Sequence, residues 1–294
     1  MPSIRVGNLD IAYDVRGKGE PLLLIPGLSM RRVMWSDEFC EMLVAMGFEV
    51  VRFDPRDSGE SSRFPARPPN IRALMWRSFA GARMEVPYTL EDMANDAFAV
   101  MTSLGHQRFH VAGASMGGMI AQTMAIEHSE RLLSLTSIMS GPGGRRYAIG
   151  KLTALRALLS PMPRERSAQI DHMVATFRVL HGDELPFEEE RVRALAEAQC
   201  ELERSPAAVA RQLGAIFESS QRRRARLRDV RTPALVIHGA SDPLLPLRGG
   251  VATARHIPGA ELMVIPKMGH DLPSSVLPLV AGAIGTHARR AALA

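Results

Sequence analysis

Phe109-His110-Val111-Ala112-Gly113-Ala114-Ser115-Met116-Gly117-Gly118-Met119-Ile120 is the stretch that decides the fold of this chain. Its first half reads as a short buried strand, and its second half, running on to Ile126, as an apolar helix. Ser115 stands at the junction, with small residues two places before and two places after it. A serine at the tip of so sharp a turn takes a strained backbone conformation, and a larger residue at 113 or 117 would make strand and helix collide. The turn also aims the Met116 N–H and the positive end of the helix toward an oxyanion forming beside Ser115.

Outward from this turn, strands and helices alternate. Residues 4–14 alternate in polarity around Gly7-Asn8, a hairpin signal. Residues 21–27 read as a buried strand ending in a glycine turn, 35–46 as a helix stopped by Gly47, and 49–54 as the next strand. Thr89 and Asp92 have the spacing of a capping box that opens another helix, and residues 132–139 form a further strand. Beyond Gly141-Pro142-Gly143-Gly144 the strands stop. Four helices are expected at 152–159, 168–180, 188–202 and 206–218, the last with Ser205 as N-cap and Pro206 at its first position. The alternation resumes at 234–239, with a helix near 248–256, a strand at 262–265 and a closing helix. This pattern predicts an α/β protein with a mostly parallel sheet between layers of helices. Residues 1–141 and 229–294 would form the core, and 142–228 an inserted helical cap. Residues 63–87, rich in Arg, Pro, Met and Phe, are a long excursion without clear structure. Such a segment is either a variable surface loop or one that lines a site entrance or faces lipid.

Composition bounds the function. The chain has 294 residues, 46% hydrophobic and 23% charged, which suits one large domain with room for an insertion. The net charge is +5, and lysine occurs only at 18, 151 and 267. Arginine bias from a GC-rich genome accounts for this, with attraction to anionic lipid or phosphate as the alternative. The basic run at 222–224, 226 and 228 reads as a solvated face or as salt bridges joining cap to core, with peripheral contact with phosphate or anionic lipid as the alternative. An aromatic content of 5% argues against a stacking surface for nucleic acid. Cys40 and Cys200 lie outside any metal-ligand or C-x-x-C spacing. The chain opens directly into strand-like sequence, with no signal-peptide pattern and no apolar run long enough to span a bilayer, so a cytoplasmic location is expected.

A serine hydroxyl needs a base, and the base needs a group that fixes its tautomer. His270 follows the strand at 262–265, in a loop at the strand end where open parallel sheets place their sites. Asp242 follows the strand at 234–238. The end of the preceding strand, Ser137-Ile138-Met139-Ser140, offers no carboxylate, and Asp271 would have to bend back sharply to reach its neighbour's ring. The order Ser115, Asp242, His270 therefore makes a nucleophile, acid and base. Leu28, after Pro26-Gly27, would supply a second backbone donor beside Met116. Ser29, Trp76, Met173 and Phe177 are candidate substrate contacts. The turn Asp54-Pro55-Arg56-Asp57-Ser58-Gly59-Glu60-Ser61 reads as structural rather than as a source of catalytic carboxylates, its charges available to pair locally and brace neighbouring loops. Phosphate-binding loops, dinucleotide glycine patterns and metal spacings are missing, so no cofactor is expected.

These residues together resemble the α/β-hydrolase superfamily over nearly the whole chain. Tyr88-Thr89-Leu90-Glu91-Asp92-Met93 and Met268-Gly269-His270-Asp271-Leu272-Pro273 are similar to actinobacterial serine carboxylesterases and lipases, and the latter also to the aclacinomycin methylesterase branch. The resemblance implies a serine carboxylic-ester hydrolase acting through an acyl-enzyme on small to medium acyl or methyl esters of a small-molecule substrate. Lipases, thioesterases, carbon–carbon hydrolases and perhydrolases share the triad, and a non-catalytic ligand receptor on the same fold is the alternative of another class. Many relatives carry His-Gly where this chain has Pro26-Gly27, which leaves the backbone donor in place but removes any bracing by that histidine.

Overall fold

The computed structural model describes residues 2–80, 84–148, 150–202 and 205–293. Residues 81–83 of the excursion, and 149, 203 and 204 of the helical stretch, lie outside the described residues. The described strands are β1 (Ser3–Val6), β2 (Leu9–Arg16), β3 (Glu20–Ile25), β4 (Phe48–Phe53), β5 (Phe109–Ala114), β6 (Leu132–Ile138), β7 (Ala234–Gly239) and β8 (Glu261–Ile265). They form one sheet in the order β1-β2-β4-β3-β5-β6-β7-β8. The β1–β2 and β2–β4 pairs are antiparallel and all the others parallel. The hairpin turns at Gly7, which takes φ +60°.

The sheet buries both faces, which is why its central strands read as unbroken apolar runs. Leu23, Ile25, Val51 and Val111 face one layer, with α3 (Leu90–Ser103) and α4 (Met116–Glu127) packed on it. Leu22, Leu24, Val50 and Ala112 face the other, against Phe39 and Leu43 of α1 (Asp37–Ala45) and Val280 and Ile284 of α11 (Leu277–Ala292). Every residue of α4 from Met116 to Ile126 is buried, so this helix has no polar face to lose. The capping box at α3 is complete, with Thr89 accepting from the Asp92 amide and Asp92 from that of Thr89.

The excursion at 63–87 contains a helix that the sequence pattern hides, α2 (Ile71–Ala80), packed on a later helix. Between β6 and β7 the chain forms α5 (Arg145–Ala148), α6 (Leu152–Leu159), α7 (Arg166–His181), α8 (Glu189–Gln199) and α9 (Pro206–Arg226). Ile170, Met173, Val174, Val192, Ala196 and Cys200 make a small core within this stretch, joined by Met30 from the sheet side. The basic end of α9 is tied to the sheet-covering helices: Arg222 bonds Glu91 of α3 and Arg226 bonds Glu127 of α4. Helix α10 (Leu247–His256) completes the set. Cys40 and Cys200 are buried and unbridged. Among the described residues no helix is long and apolar enough to cross a membrane.

The charged turn after β4 is a brace. Asp54, fully buried, accepts from the Arg32 amide at 2.6 Å and the Glu60 amide at 2.9 Å. Arg56 grips Asp96 of α3 through two bonds of 2.6 and 2.8 Å. Asp57 receives two from Arg211 of α9, at 2.8 and 2.6 Å, and one from the Tyr88 hydroxyl at 2.7 Å. Burial and the Asp57 carboxylate together drive the Tyr88 phenol far above its ordinary pKa, so it stays a donor. Gln212 adds bonds to the Arg56 carbonyl and the Ser58 hydroxyl. Through this turn α9 is fixed to the sheet.

Candidate active site

Ser115 stands between β5 and α4 with φ +54° and ψ −116°, a conformation that side chains rarely adopt. The surroundings hold it there. Its amide donates to the Ile138 carbonyl at 2.9 Å, and its carbonyl accepts from the Ser140 hydroxyl at 2.8 Å. The flanking glycines are a steric requirement. A Cβ on Gly113 would lie 2.2 Å from the Gly117 carbonyl oxygen, and one on Gly117 would lie 2.1 Å from that of Ile25. Both obstacles are backbone, which cannot swing aside. Gly117→Ala is therefore expected to destabilise the protein by about 3 kcal/mol, and to lower Tm by about 6 °C in a thermal melt. An unchanged Tm would contradict this packing.

The end of β6 supplies Ser140 to the elbow and no carboxylate; the carboxylate that reaches His270, Asp242, lies one strand farther. His270 Nε2 is 3.0 Å from Ser115 Oγ, and His270 Nδ1 is 2.7 Å from Asp242 Oδ2. Asp242 Oδ1 accepts the amides of Leu244 and Leu245 at 2.9 and 2.8 Å. With its side chain wholly enclosed, this carboxylate is held by three bonds and has one direction left in which to point. His238 braces the same turn, bonding the Leu245 carbonyl at 2.7 Å. Burial lowers the His238 pKa, so it sits there neutral, with Nε2 carrying the proton it donates. Asp271 does turn away from the adjacent ring and bonds His181 instead, at 2.7 Å.

Leu28 and Met116 both border the cavity that Ser115 opens into. Among the described residues neither backbone N–H has a protein acceptor. The turn that presents Leu28 is closed by the Met30 amide on the Gly27 carbonyl at 3.1 Å, with Ser29 at φ +56°.

The cavity holds about 290 Å³. Its floor is Ser115, His270 and the Gly27–Leu28 turn, and its walls are mostly apolar, with Arg191 and Asp271 among the polar residues that border it. Of the candidate substrate contacts, Met173 and Phe177 of α7 line it, with Leu155 of α6 and Met162. Two expected contacts do not. The Ser29 amide is held by Gln212 Oε1 at 2.7 Å, and the residue borders a separate polar crevice with Arg31 and Asp57. Trp76 sits on the outer side of α2, 75% exposed. Leu213, Ile216 and Phe217 of α9 line the cavity without having been singled out from the sequence. Their i, i+3, i+4 spacing marks one apolar face, which looks like core until the position of α9 is known. Among the described residues no group of three or more His, Cys, Asp or Glu side chains is placed to hold a metal ion.

Comparison with known proteins agrees with this architecture. A family model described as alpha/beta hydrolase fold matches residues 20–273. Rhodomycin D methylesterase from Streptomyces peucetius is 31% identical, the match covering 99% of each chain. A second rhodomycin D methylesterase, from another Streptomyces, is 30% identical with the same coverage. Among solved structures, a meta-cleavage product hydrolase from Pseudomonas fluorescens superposes with a TM-score of 0.76 at 18% identity, covering 99% of this chain and 98% of the other.

Proposed function

This chain belongs to the α/β-hydrolase family, and on that premise we propose that it is a serine carboxylic-ester hydrolase working through an acyl-enzyme without a cofactor. One observation carries the reading: the unbroken relay Ser115–His270–Asp242, with spacings of 3.0 and 2.7 Å, at the floor of an apolar cavity. Ser115 Oγ attacks the ester carbonyl while His270 Nε2 takes its proton. The Met116 and Leu28 amides receive the oxyanion. His270 then protonates the departing alcohol, and the same base activates water to release the acid. Asp242 keeps the Nδ1 proton in place and stabilises the imidazolium as it forms.

The walls bear on the substrate. A cavity with seven methionines among its lining residues suits a compact apolar acyl group, since Met side chains adapt to varied shapes. The relatives that act as methylesterases support a small leaving alcohol. We therefore assign small to medium acyl esters, including methyl esters, as the substrate class, with residues 142–228 as the cap that encloses the acyl side. A series of p-nitrophenyl esters of rising acyl length tests this. Turnover should peak at short to medium chains, and Met173→Trp should cut kcat/KM for the longest good substrate by about tenfold while sparing acetate. A preference for insoluble long-chain triglycerides would overturn the substrate assignment.

A further inference from the structure

The loop that carries His270 is held from the side of the helical insertion as well as by the sheet. The His270 amide donates to the Leu180 carbonyl, in the last turn of α7, at 2.8 Å. Gly269 lies so close to that turn that a Cβ would sit 2.1 Å from the His181 carbonyl oxygen. The next residue makes the third tie: Asp271 Oδ2 is 2.7 Å from His181 Nδ1, the two side chains only 8% and 2% exposed. Farther along, Glu188 accepts from both the amide and the hydroxyl of Ser274.

The His181–Asp271 bond has a definite polarity. His181 Nε2 bonds the Leu185 carbonyl at 2.9 Å, which can only accept, so Nε2 carries a proton. Nδ1 faces a carboxylate and carries the other. Burial works against both charges, raising the Asp271 pKa and opposing this double donor, but at the ring the hydrogen bond and charge of Asp271 outweigh it and raise the His181 pKa. Asp271 Oδ1 is enclosed and has no partner among the described residues, so the carboxylate depends on His181. Consecutive residues, His270 and Asp271, thus each belong to a different His–Asp pair, one in the relay and one outside it.

We propose that His181 and Asp271 are positioning residues for His270, an ion pair that ties the loop of the base to the end of α7 and so makes its aim depend on the helical insertion. The inference rests on the reading of His270 as general base. A ring that must reach both Ser115 Oγ and Asp242 Oδ2 tolerates little displacement, and a shift of about 1 Å can cost about 100-fold in rate.

The test is steady-state hydrolysis of p-nitrophenyl butyrate, with fluorophosphonate labelling rates measured alongside. Asp271→Ala should lower kcat by about 10- to 100-fold, with KM changed by less than about twofold and labelling slowed in parallel. Asp271→Asn, whose amide oxygen still accepts from the imidazole, should stay within about threefold of wild type. His181→Ala should be worse than either, because it strands a buried carboxylate, and adding Asp271→Asn to it should recover activity. Wild-type kcat in Asp271→Ala would overturn the proposal, as would equal loss in the Ala and Asn variants or a loss confined to KM. Should Asp271→Ala fail to fold, the recovery or non-recovery of His181→Ala by the second substitution decides the matter. His270→Ala separates the two readings: if it keeps wild-type turnover, the general base itself is misassigned, whereas an inactive His270→Ala beside a fully active Asp271→Ala refutes the positioning pair alone.

Discussion

Ser115→Ala is expected to lower kcat for a short p-nitrophenyl ester by about 10⁵- to 10⁶-fold, with KM nearly unchanged. The loss falls on kcat because Oγ forms its bond only as the reaction proceeds, while the cavity walls proposed to hold the acyl group stay intact. The fold should survive. Ser115 keeps its strained backbone through its own amide and carbonyl, bonded to Ile138 and the Ser140 hydroxyl, and neither bond uses the side chain. Alanine at φ +54° feels the same strain as serine. A melt within a few degrees of wild type, with hydrolysis near background, is the expected pair of results. Undiminished hydrolysis would place the nucleophile elsewhere.

Asp242→Asn should cost about 10⁴-fold in kcat. The substitution is nearly isosteric, and the Leu244 and Leu245 amides can still be accepted by its carbonyl oxygen, Oδ1 in the native carboxylate. The NH₂ group is then left facing His270 Nδ1. As a donor it forces Nδ1 to accept, which puts the ring proton on Nε2, where it faces Ser115 Oγ and cannot take that proton. Circular dichroism should report a native fold and a pH–rate profile should stay depressed throughout. Wild-type activity in this variant would remove Asp242 from the relay.

Much of this was written locally. The small-x-Ser-x-small turn, the capping box at Thr89 and the hairpin at Gly7 are set by neighbours a few residues apart, and the structure has each where the sequence puts it. The carboxylate that meets His270 was legible by elimination, since the end of β6 carries serine, which the structure spends on the Ser115 carbonyl. What escaped depends on distant contacts. Helix α2 is flanked by prolines and arginines and leans on α9, well over a hundred residues later. Ser29 looked free until Gln212, 183 residues away, claimed its amide. Trp76 was a candidate contact through its place in the excursion that could line a site entrance, and its helix turns it outward. The partner of Asp271 lies 90 residues before it, a pairing that no local pattern signals.

The central claim is that Ser115 is activated by His270. Brief treatment of the folded protein with a fluorophosphonate, followed by mass-spectrometric mapping of the adduct, tests it without any choice of substrate. One adduct is expected, on Ser115 Oγ, formed rapidly in wild type and not detectably in His270→Ala over the same interval. An unmodified Ser115 beside a labelled serine elsewhere, or labelling of Ser115 as fast in His270→Ala as in wild type, would contradict it.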